Sequence, residues 1–289
     1  MVIGASGFLG SYLAKEFGSN NEVIGTGHRQ EPNFVQLDLA GDVNQVLEKF
    51  NPELVILSAG VTNMDLCEEK PTECREVNVE GTSKVVAYCK KNNAVLVFYS
   101  SDAVFDGKNG PYSEDYSPLS PTSQYAKQKV EAEQIVSQLP NYLIIRTSSV
   151  YGWDPRNANF VARLFNNLST GKEVTTPVNQ SYTPTYAPDL ATATHLLIEN
   201  QQRGIFNVTG STFISRYDFA LLAAEVFGFD KQLVKGVKTA ELNQKAPRLE
   251  KGGLTCDKLF KAVKFRPRSS REGLRDMLIL LNNRNLIKT

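Results

Sequence analysis

Over roughly its first half the chain alternates short apolar runs with stretches of helical periodicity, and few architectures can bury both kinds of element in that order. The runs are Met1–Ile3, Glu22–Gly27, Glu53–Ser58, Ala94–Ser100 and Asn141–Ser148; between them Ser11–Phe17, Glu73–Asn92 and Ser123–Gln138 carry the spacing of helices. Such alternation predicts βαβ units, hence an α/β fold with a doubly wound parallel sheet covered on both faces. Sheets of this kind bind ligands beyond the carboxyl ends of their strands. The loops that fall there are Gly4 to Gly10, Gly27 to Arg29, Ala59 to Thr62, Ser100 to Asp102 and Thr147 to Ser149.

The first of these loops, Gly4-Ala-Ser6-Gly7-Phe8-Leu9-Gly10, lies between a strand and a helix. There a first glycine permits a conformation other residues resist, a second lets backbone approach a pyrophosphate, and a third lets helix and strand pack closely. The helix N-terminus adds free N–H groups and partial positive charge. The spacing is GxxGxxG, a pattern that ordinary turns also produce. A three-residue first strand is short, which suggests that a residue or two is missing ahead of Met1.

At the end of the second run stand His28 and Arg29. An acidic residue there suits the ribose hydroxyls of NAD, whereas arginine suits the 2′-phosphate of NADP. Arg29 therefore points to NADP, with NADPH preferred over NADH; the plain alternative is a solvated loop arginine. His28 is either a neighbour of that phosphate or incidental.

Ser101 directly follows the fourth run, and Tyr125 and Lys129 stand at i and i+4 on the helix that comes next, hence on one helical face. An ammonium beside a phenol favours tyrosinate, so Lys129 is expected to lower Tyr125 from its reference of about 10 toward neutrality, a shift worth ~4 kcal/mol. Tyr125 would then pass a proton to an alkoxide as hydride arrives. Ser101 would hydrogen-bond the same oxygen, and Lys129 would also bond ribose hydroxyls. A YxxxK pair alone is equally an exposed helical pair; strand-end Ser101 and the glycine loop together give it catalytic meaning.

Composition excludes several other functions. The 32 basic and 31 acidic residues leave a net charge of +1 with no basic stripe, so nucleic acid is not an expected partner. Apolar runs such as Ala94–Tyr99 are far too short to span a bilayer, and the N-terminus does not read as a signal peptide; the expected location is cytoplasmic, without a membrane. Cys67, Cys74, Cys89 and Cys256 form no CxxC pair, and only His28 and His195 are available besides, so reduced thiols and no metal are expected. Beyond Gly152 the prolines 155, 177, 184 and 188 interrupt the alternation. A second lobe is expected there, holding a short strand Gly204–Val208, a helix Arg216–Phe227 and a basic, loop-rich tail.

The segments Ser100-Ser-Asp-Ala-Val-Phe-Asp-Gly107, Tyr125-Ala-Lys-Gln-Lys129, Ile145-Arg-Thr-Ser-Ser-Val-Tyr-Gly152, Thr183-Pro-Thr-Tyr-Ala-Pro-Asp189, Gly204-Ile-Phe-Asn-Val-Thr-Gly210 and Ala246-Pro-Arg248 resemble the extended short-chain dehydrogenase/reductases, and within them the dTDP-4-dehydrorhamnose reductases. The resemblance implies a Rossmann-type domain of residues 1–150 with 180–208, a substrate domain of 151–179 with 209–289, and NAD(P)H-dependent reduction of a 4-keto-6-deoxy nucleotide sugar. By the same resemblance Gly4, Ser6, Gly7, Phe8, Leu9 and Gly10 serve the pyrophosphate and Asp38 and Leu39 the adenine, although Asp38 also reads as a turn residue. Ala59, Gly60, Val61, Thr62, Asn78 and Ser148 complete the cofactor set. Asp102 and Arg248 are assigned to the substrate, Arg248 to its phosphates. A homodimer is compatible with this frame.

Two positions depart from that family. Ala103 stands where it usually has Tyr, and Ser149 where it usually has Trp. Losing two aromatic walls of ~150–250 Å² each opens room beside the sugar. Trp153 either compensates or is a core aromatic. The frame also serves bifunctional 3,5-epimerase/4-reductases and other nucleotide-sugar epimerases and dehydratases. The chain further resembles the regulatory β subunit of methionine adenosyltransferase, an NADP-binding protein that acts on a partner enzyme.

Overall fold

The computed structural model describes residues 1–116 and 118–283. Its centre is a parallel sheet of β1 (Val2–Ile3), β4 (Leu54–Leu57), β5 (Val95–Ser101), β6 (Tyr142–Thr147) and β7 (Gly204–Asn207), side by side in that order. The pair β2 (Thr26–Gly27) and β3 (Val35–Gln36) extends it, because Gly25 bridges Val2 in parallel and the Val2 amide donates to the Ile24 carbonyl. The mixed α/β architecture and parallel sheet are those expected from the alternation.

Each strand is apolar on both faces because each face has its own core. Val55, Leu57, Leu96, Phe98 and Ile144 pack on one side with α2 (Val43–Phe50), α4 (Gly81–Asn92) and α5 (Gln124–Val136). Ile56, Val97, Tyr99, Leu143 and Ile145 pack on the other with α1 (Phe8–Phe17) and the helix Ala187–Glu199. This odd-even division follows from the two-residue period of a strand.

Several expected elements shift or change. The Glu22–Gly27 run is strand only at Thr26–Gly27. The helix expected over Glu73–Asn92 comprises Pro71–Arg75, a wide π turn at Glu76–Glu80 and then α4. The loop-rich tail also carries two helices that were not expected, Asp257–Val263 and Ser270–Asn283; residues 284–289 lie outside the described residues. A third apolar core joins Tyr151, Leu164, Phe165, Phe219, Phe227, Leu274 and Met277. It gathers the helices Phe160–Leu168, Arg216–Phe227 and Ser270–Asn283 beyond the carboxyl ends of the sheet strands.

Candidate active site

Between the sheet and that third core lies a cavity of about 830 Å³. The glycine loop forms one end. Gly4 has φ +91°, and a Cβ there would meet Ala59 at 2.9 Å. A Cβ on Gly10 would lie 2.0 Å from the Gly4 carbonyl oxygen, so α1 approaches the loop as closely as backbone allows. Gly7, extended at φ −77°, caps α1 without a side chain, and the first-turn amides that follow have no intrahelical acceptor. A dinucleotide pyrophosphate fits this cradle, since a narrow glycine wall and a helix N-terminus are what an anion of that shape requires.

Gly4, Ser6, Gly7, Phe8, Leu9, His28, Asp38, Leu39, Ala59, Gly60, Val61 and Thr62 all line the cavity. His28 and Asp38, both exposed, face each other at 3.7 Å. Other residues assigned to the cofactor stand behind this wall or outside it. Gly10 is buried beneath the loop, and Arg29 is exposed beyond the cavity lining. Asn78, carried by the π turn, accepts from the Val61 amide at 2.8 Å and donates to the Val61 carbonyl at 3.0 Å, so it fastens the Gly60–Thr62 loop from the rear. Ser148 is buried and donates to Asp102 at 2.6 Å.

Ser101, Asp102, Ala103, Tyr125, Lys129, Ser149 and Arg248 line the same cavity. Ser123 caps α5 by accepting the Ala126 amide, which fixes the start of the helix and thereby the rotation that turns Tyr125 and Lys129 inward. The Lys129 Nζ donates to the Tyr99 carbonyl at 2.8 Å and lies 4.6 Å from the centre of the Phe98 ring. Burial lowers its pKa to about 8, against the opposing pull of the Glu133 carboxylate one helical turn on. Glu133 is itself held by Arg146 at 2.9 and 2.6 Å.

The expected lowering of Tyr125 is not what this arrangement produces. Burial pushes the phenol up, Asp102 and Cys67 push it further, and only the neighbouring Ser101 hydroxyl acts downward. Lys129 exerts no comparable pull because its ammonium is turned to Tyr99 and Phe98, with the Tyr125 ring centre 5.9 Å away. Helical spacing put the two residues on one face but said nothing of where the ammonium would point.

Trp153 does not line the cavity. Its indole packs edge-on against Phe165, 6.1 Å between ring centres, in the third core. It therefore offers no substitute for an aromatic wall at Ser149. Ser149 itself adopts φ +41°, an uncommon conformation for serine. Arg248 lines the cavity while its guanidinium is bonded to Asp65 at 2.9 Å and to the Ala246 carbonyl at 2.7 Å. The Ala246 amide, donating at 2.9 Å, and then the Arg248 guanidinium hold the Asp65 carboxyl below its ordinary value, against the burial that would raise it.

Two arginines not singled out in the sequence share the cavity. Arg163, on Phe160–Leu168, and Arg216, first residue of Arg216–Phe227, line its far end with Phe160, Gln180 and Tyr182. Arg216 stacks 4.3 Å from the Phe160 ring centre. Neither forms an ion pair with a carboxylate among the described residues, and desolvation together with the Arg216 charge holds Arg163 below its ordinary value. Arginines on amphipathic helices are by default solvated, so periodicity carried no signal for them.

Residues 1–282 match the profile of the RmlD substrate binding domain. The chain belongs to that family. It is 30% identical over 258 residues to the probable low-salt glycan biosynthesis reductase Agl14 of Haloferax volcanii, covering 86% of each. It is 28% identical to the methionine adenosyltransferase 2 subunit beta of Pongo abelii, covering 90% of this chain and 80% of that one. A solved dTDP-4-dehydrorhamnose reductase from Clostridium acetobutylicum superposes with TM-score 0.87 at 31% identity, over 97% of this chain and 98% of the other. The Bacillus anthracis enzyme in complex with NADP superposes with TM-score 0.88 at 26% identity, over 96% and 98%. No helix among the described residues is long and apolar enough to cross a membrane.

Proposed function

We propose that this protein is a nucleotide-sugar reductase that converts the 4-keto group of a 4-keto-6-deoxy nucleotide sugar to an alcohol with NADPH. The observation that carries the reading is that one cavity joins a phosphate-suited glycine loop, the Ser101–Tyr125–Lys129 cluster and two arginines that have no ion-pair partner among the described residues. In this reading Gly7 to Leu9 hold the pyrophosphate, Asp38 and Leu39 the adenine, and Gly60 to Thr62 the nicotinamide side, with Asn78 keeping that loop in place. A nicotinamide cofactor bound there supplies the hydride. Tyr125 gives the proton to the forming alkoxide, Ser101 hydrogen-bonds the same oxygen, and Lys129 holds the ribose hydroxyls.

Arg163 and Arg216 take the diphosphate of the sugar nucleotide, since guanidinium forks bond phosphate oxygens in pairs and desolvation strengthens the attraction. Arg29 supplies the preference for NADPH from outside the cavity. The test is to incubate the purified protein and NADPH with a panel of 4-keto-6-deoxy nucleotide sugars, following absorbance at 340 nm and the products by mass spectrometry. Oxidation of NADPH with a matching two-hydrogen gain in one sugar is the expected result.

The likeness to the methionine adenosyltransferase β subunits favours a second reading, a regulatory subunit that keeps the same cavity. Co-purification with a methionine adenosyltransferase, and no turnover of any keto sugar, would select it. Isomerised sugar nucleotide recovered without net NADPH consumption would instead select the epimerase chemistry that related folds perform.

A further inference from the structure

The raised Tyr125 phenol poses a chemical problem for the proposed reduction. Once Tyr125 has given its proton to the product, burial disfavours the phenolate left behind, and an ionised Asp102 disfavours it further. Lys129 is bonded elsewhere. A nearby source that refills the phenol would remove the difficulty, and the side chains next to it are arranged as one.

Ser101 and Tyr125 line the same cavity, and the Ser101 hydroxyl is close enough to act on the Tyr125 phenol. The Ser101 Oγ also donates to Asp102 Oδ1 at 3.1 Å and accepts the Ala103 amide at 3.1 Å. Asp102 Oδ2 accepts from Ser148 Oγ at 2.6 Å and from the Gly253 amide at 2.9 Å. The carboxyl is thereby fixed between the end of β5 and the Lys251–Leu254 strap, yet its residue still lines the cavity. No lysine or arginine forms an ion pair with it among the described residues, and burial pushes it above the ordinary carboxylate range despite the four hydrogen bonds it accepts, one of them from its own amide.

Resting on the reductase reading, we infer that Tyr125, Ser101 and Asp102 form a proton relay in which the Asp102 carboxyl, acting through Ser101, refills the Tyr125 phenol. In the reducing direction the carbonyl π pair moves onto oxygen as the hydride reaches carbon. The Tyr125 O–H bond breaks and the product O–H forms. The Ser101 proton passes to the phenolate oxygen, the Asp102 proton passes to Ser101, and the carboxylate left behind takes a proton from water in the cavity. The alcohol gains one hydride from NADPH and, in net, one proton from water. In the oxidising direction every transfer reverses and Asp102 ends protonated, so no free tyrosinate has to accumulate.

Ionised Asp102 only accepts, so the chain then runs Tyr125 to Ser101 to Asp102; protonated Asp102 can donate, so the chain can run the other way. Reduction therefore slows as pH rises through the Asp102 pKa, and oxidation of the corresponding alcohol quickens over the same interval. The other groups facing this chain are Cys67 on α3 (Met64–Glu69), Lys129, and Tyr182, whose phenol feels both Asp102 and Arg216. These groups titrate as a coupled set, so the limbs report macroscopic constants.

Asp102→Asn preserves size and can still accept from Ser148 and Gly253, but it cannot carry the proton. Expected are unchanged NADPH affinity by fluorescence, KM within about twofold of wild type, a reduction kcat lower by about tenfold to a hundredfold, and loss of both pH limbs. Ser148→Ala removes one hydrogen bond to the carboxylate, so both limbs move to higher pH. In protein without cofactor, ultraviolet difference titration against Tyr125→Phe is expected to show the Tyr125 phenol ionising at lower pH in Asp102→Asn than in wild type. A wild-type kcat and pH profile in Asp102→Asn, or a change confined to KM, would overturn the relay. Absence of any keto-sugar turnover by wild-type protein would refute the reductase reading instead, leaving the phenol titration to decide whether Asp102 and Tyr125 are coupled: an unshifted phenol overturns the relay.

Discussion

Replacing Lys129 by methionine separates what the site needs from what the fold prefers. The folded protein holds this lysine at a pKa of about 8, against an ordinary value of 10.5. A depressed basic group means that the unfolded chain binds the proton more tightly, so burial of the charged form costs stability at every pH below about 8. At 1.36 kcal/mol per unit the cost is about 3 kcal/mol near neutrality. It fades as pH rises from 8 toward 10.5, because the folded state then gives up the proton first; at pH 9.5 about 1.4 kcal/mol remains. Methionine matches the length of the stem and carries no charge, but it forfeits the bond to the Tyr99 carbonyl, worth about 1 kcal/mol. Glu133 stays neutralised by Arg146. The variant should therefore be more stable than wild type by about 2 kcal/mol at pH 7 and by only a few tenths at pH 9.5, while losing the proposed reductase activity. Equilibrium urea unfolding at the two pH values measures both differences. A variant less stable than wild type at pH 7, or an advantage that does not shrink with pH, would refute the assignment of Lys129 as a buried, destabilising charge retained for its role in the site.

Three further outcomes are expected. Gly10→Ala places a methyl 2.0 Å from the Gly4 carbonyl oxygen, so the loop must move; NADPH binding by fluorescence should be lost, together with a few kcal/mol of stability in a urea melt. Arg163→Ala and Arg216→Ala should each raise KM for the sugar nucleotide by about tenfold or more with NADPH affinity unchanged, consistent with charge-assisted bonds of about 1.5–3 kcal/mol, and an unaltered KM in both would remove the diphosphate assignment. Arg29→Ala should erase a roughly tenfold to hundredfold preference for NADPH over NADH, read by titrating both cofactors; equal affinities in the wild-type protein would show that this exposed arginine has no such role.

The sheet was legible in the sequence because each strand obeys a local rule that tertiary structure then reinforces: Leu96 and Phe98 meet one core, Val97 and Tyr99 the other. The helix at Arg216–Phe227 was equally plain, opened by Ser215 accepting the Asp218 amide and closed by Gly228 at φ +75°. The two helices of the tail were missed because one is short and both open on polar residues, and what holds Ser270–Asn283 is burial of Leu274, Met277 and Leu281 against a lobe assembled from distant sequence. The chemical positions were found by spacing, but spacing cannot report electrostatics. Whether Lys129 lowers Tyr125 depends on the Tyr99 carbonyl, 30 residues away in sequence, and on Asp102, whose charge acts in the opposite sense.

Ala103 and Ser149 show how a departure seen in sequence acquires physical content. Both line the cavity. Ala103 is buried against Cys67, Cys74, Tyr125 and Ala126, so a larger residue there must extend into the cavity or displace packed atoms, at a typical cost of about 1–3 kcal/mol. Ser149 sits at φ +41°, where a bulky side chain is strained further than serine. Trp153, the aromatic that sequence spacing offered as a replacement for a lost wall, is committed to Phe165 and the third core. The room beside Ser101 and Tyr125 is therefore built into backbone and packing rather than left by two interchangeable side chains. Ala103→Tyr with Ser149→Trp should consequently lower thermal stability and leave the 4-keto sugar that best serves the wild-type protein a poorer substrate, measured as kcat/KM across the same panel. A double variant as stable as wild type that turns over a dTDP-4-keto-6-deoxy sugar faster would show that the pocket still has the shape of the rhamnose reductases and that the small residues are not what selects its sugar.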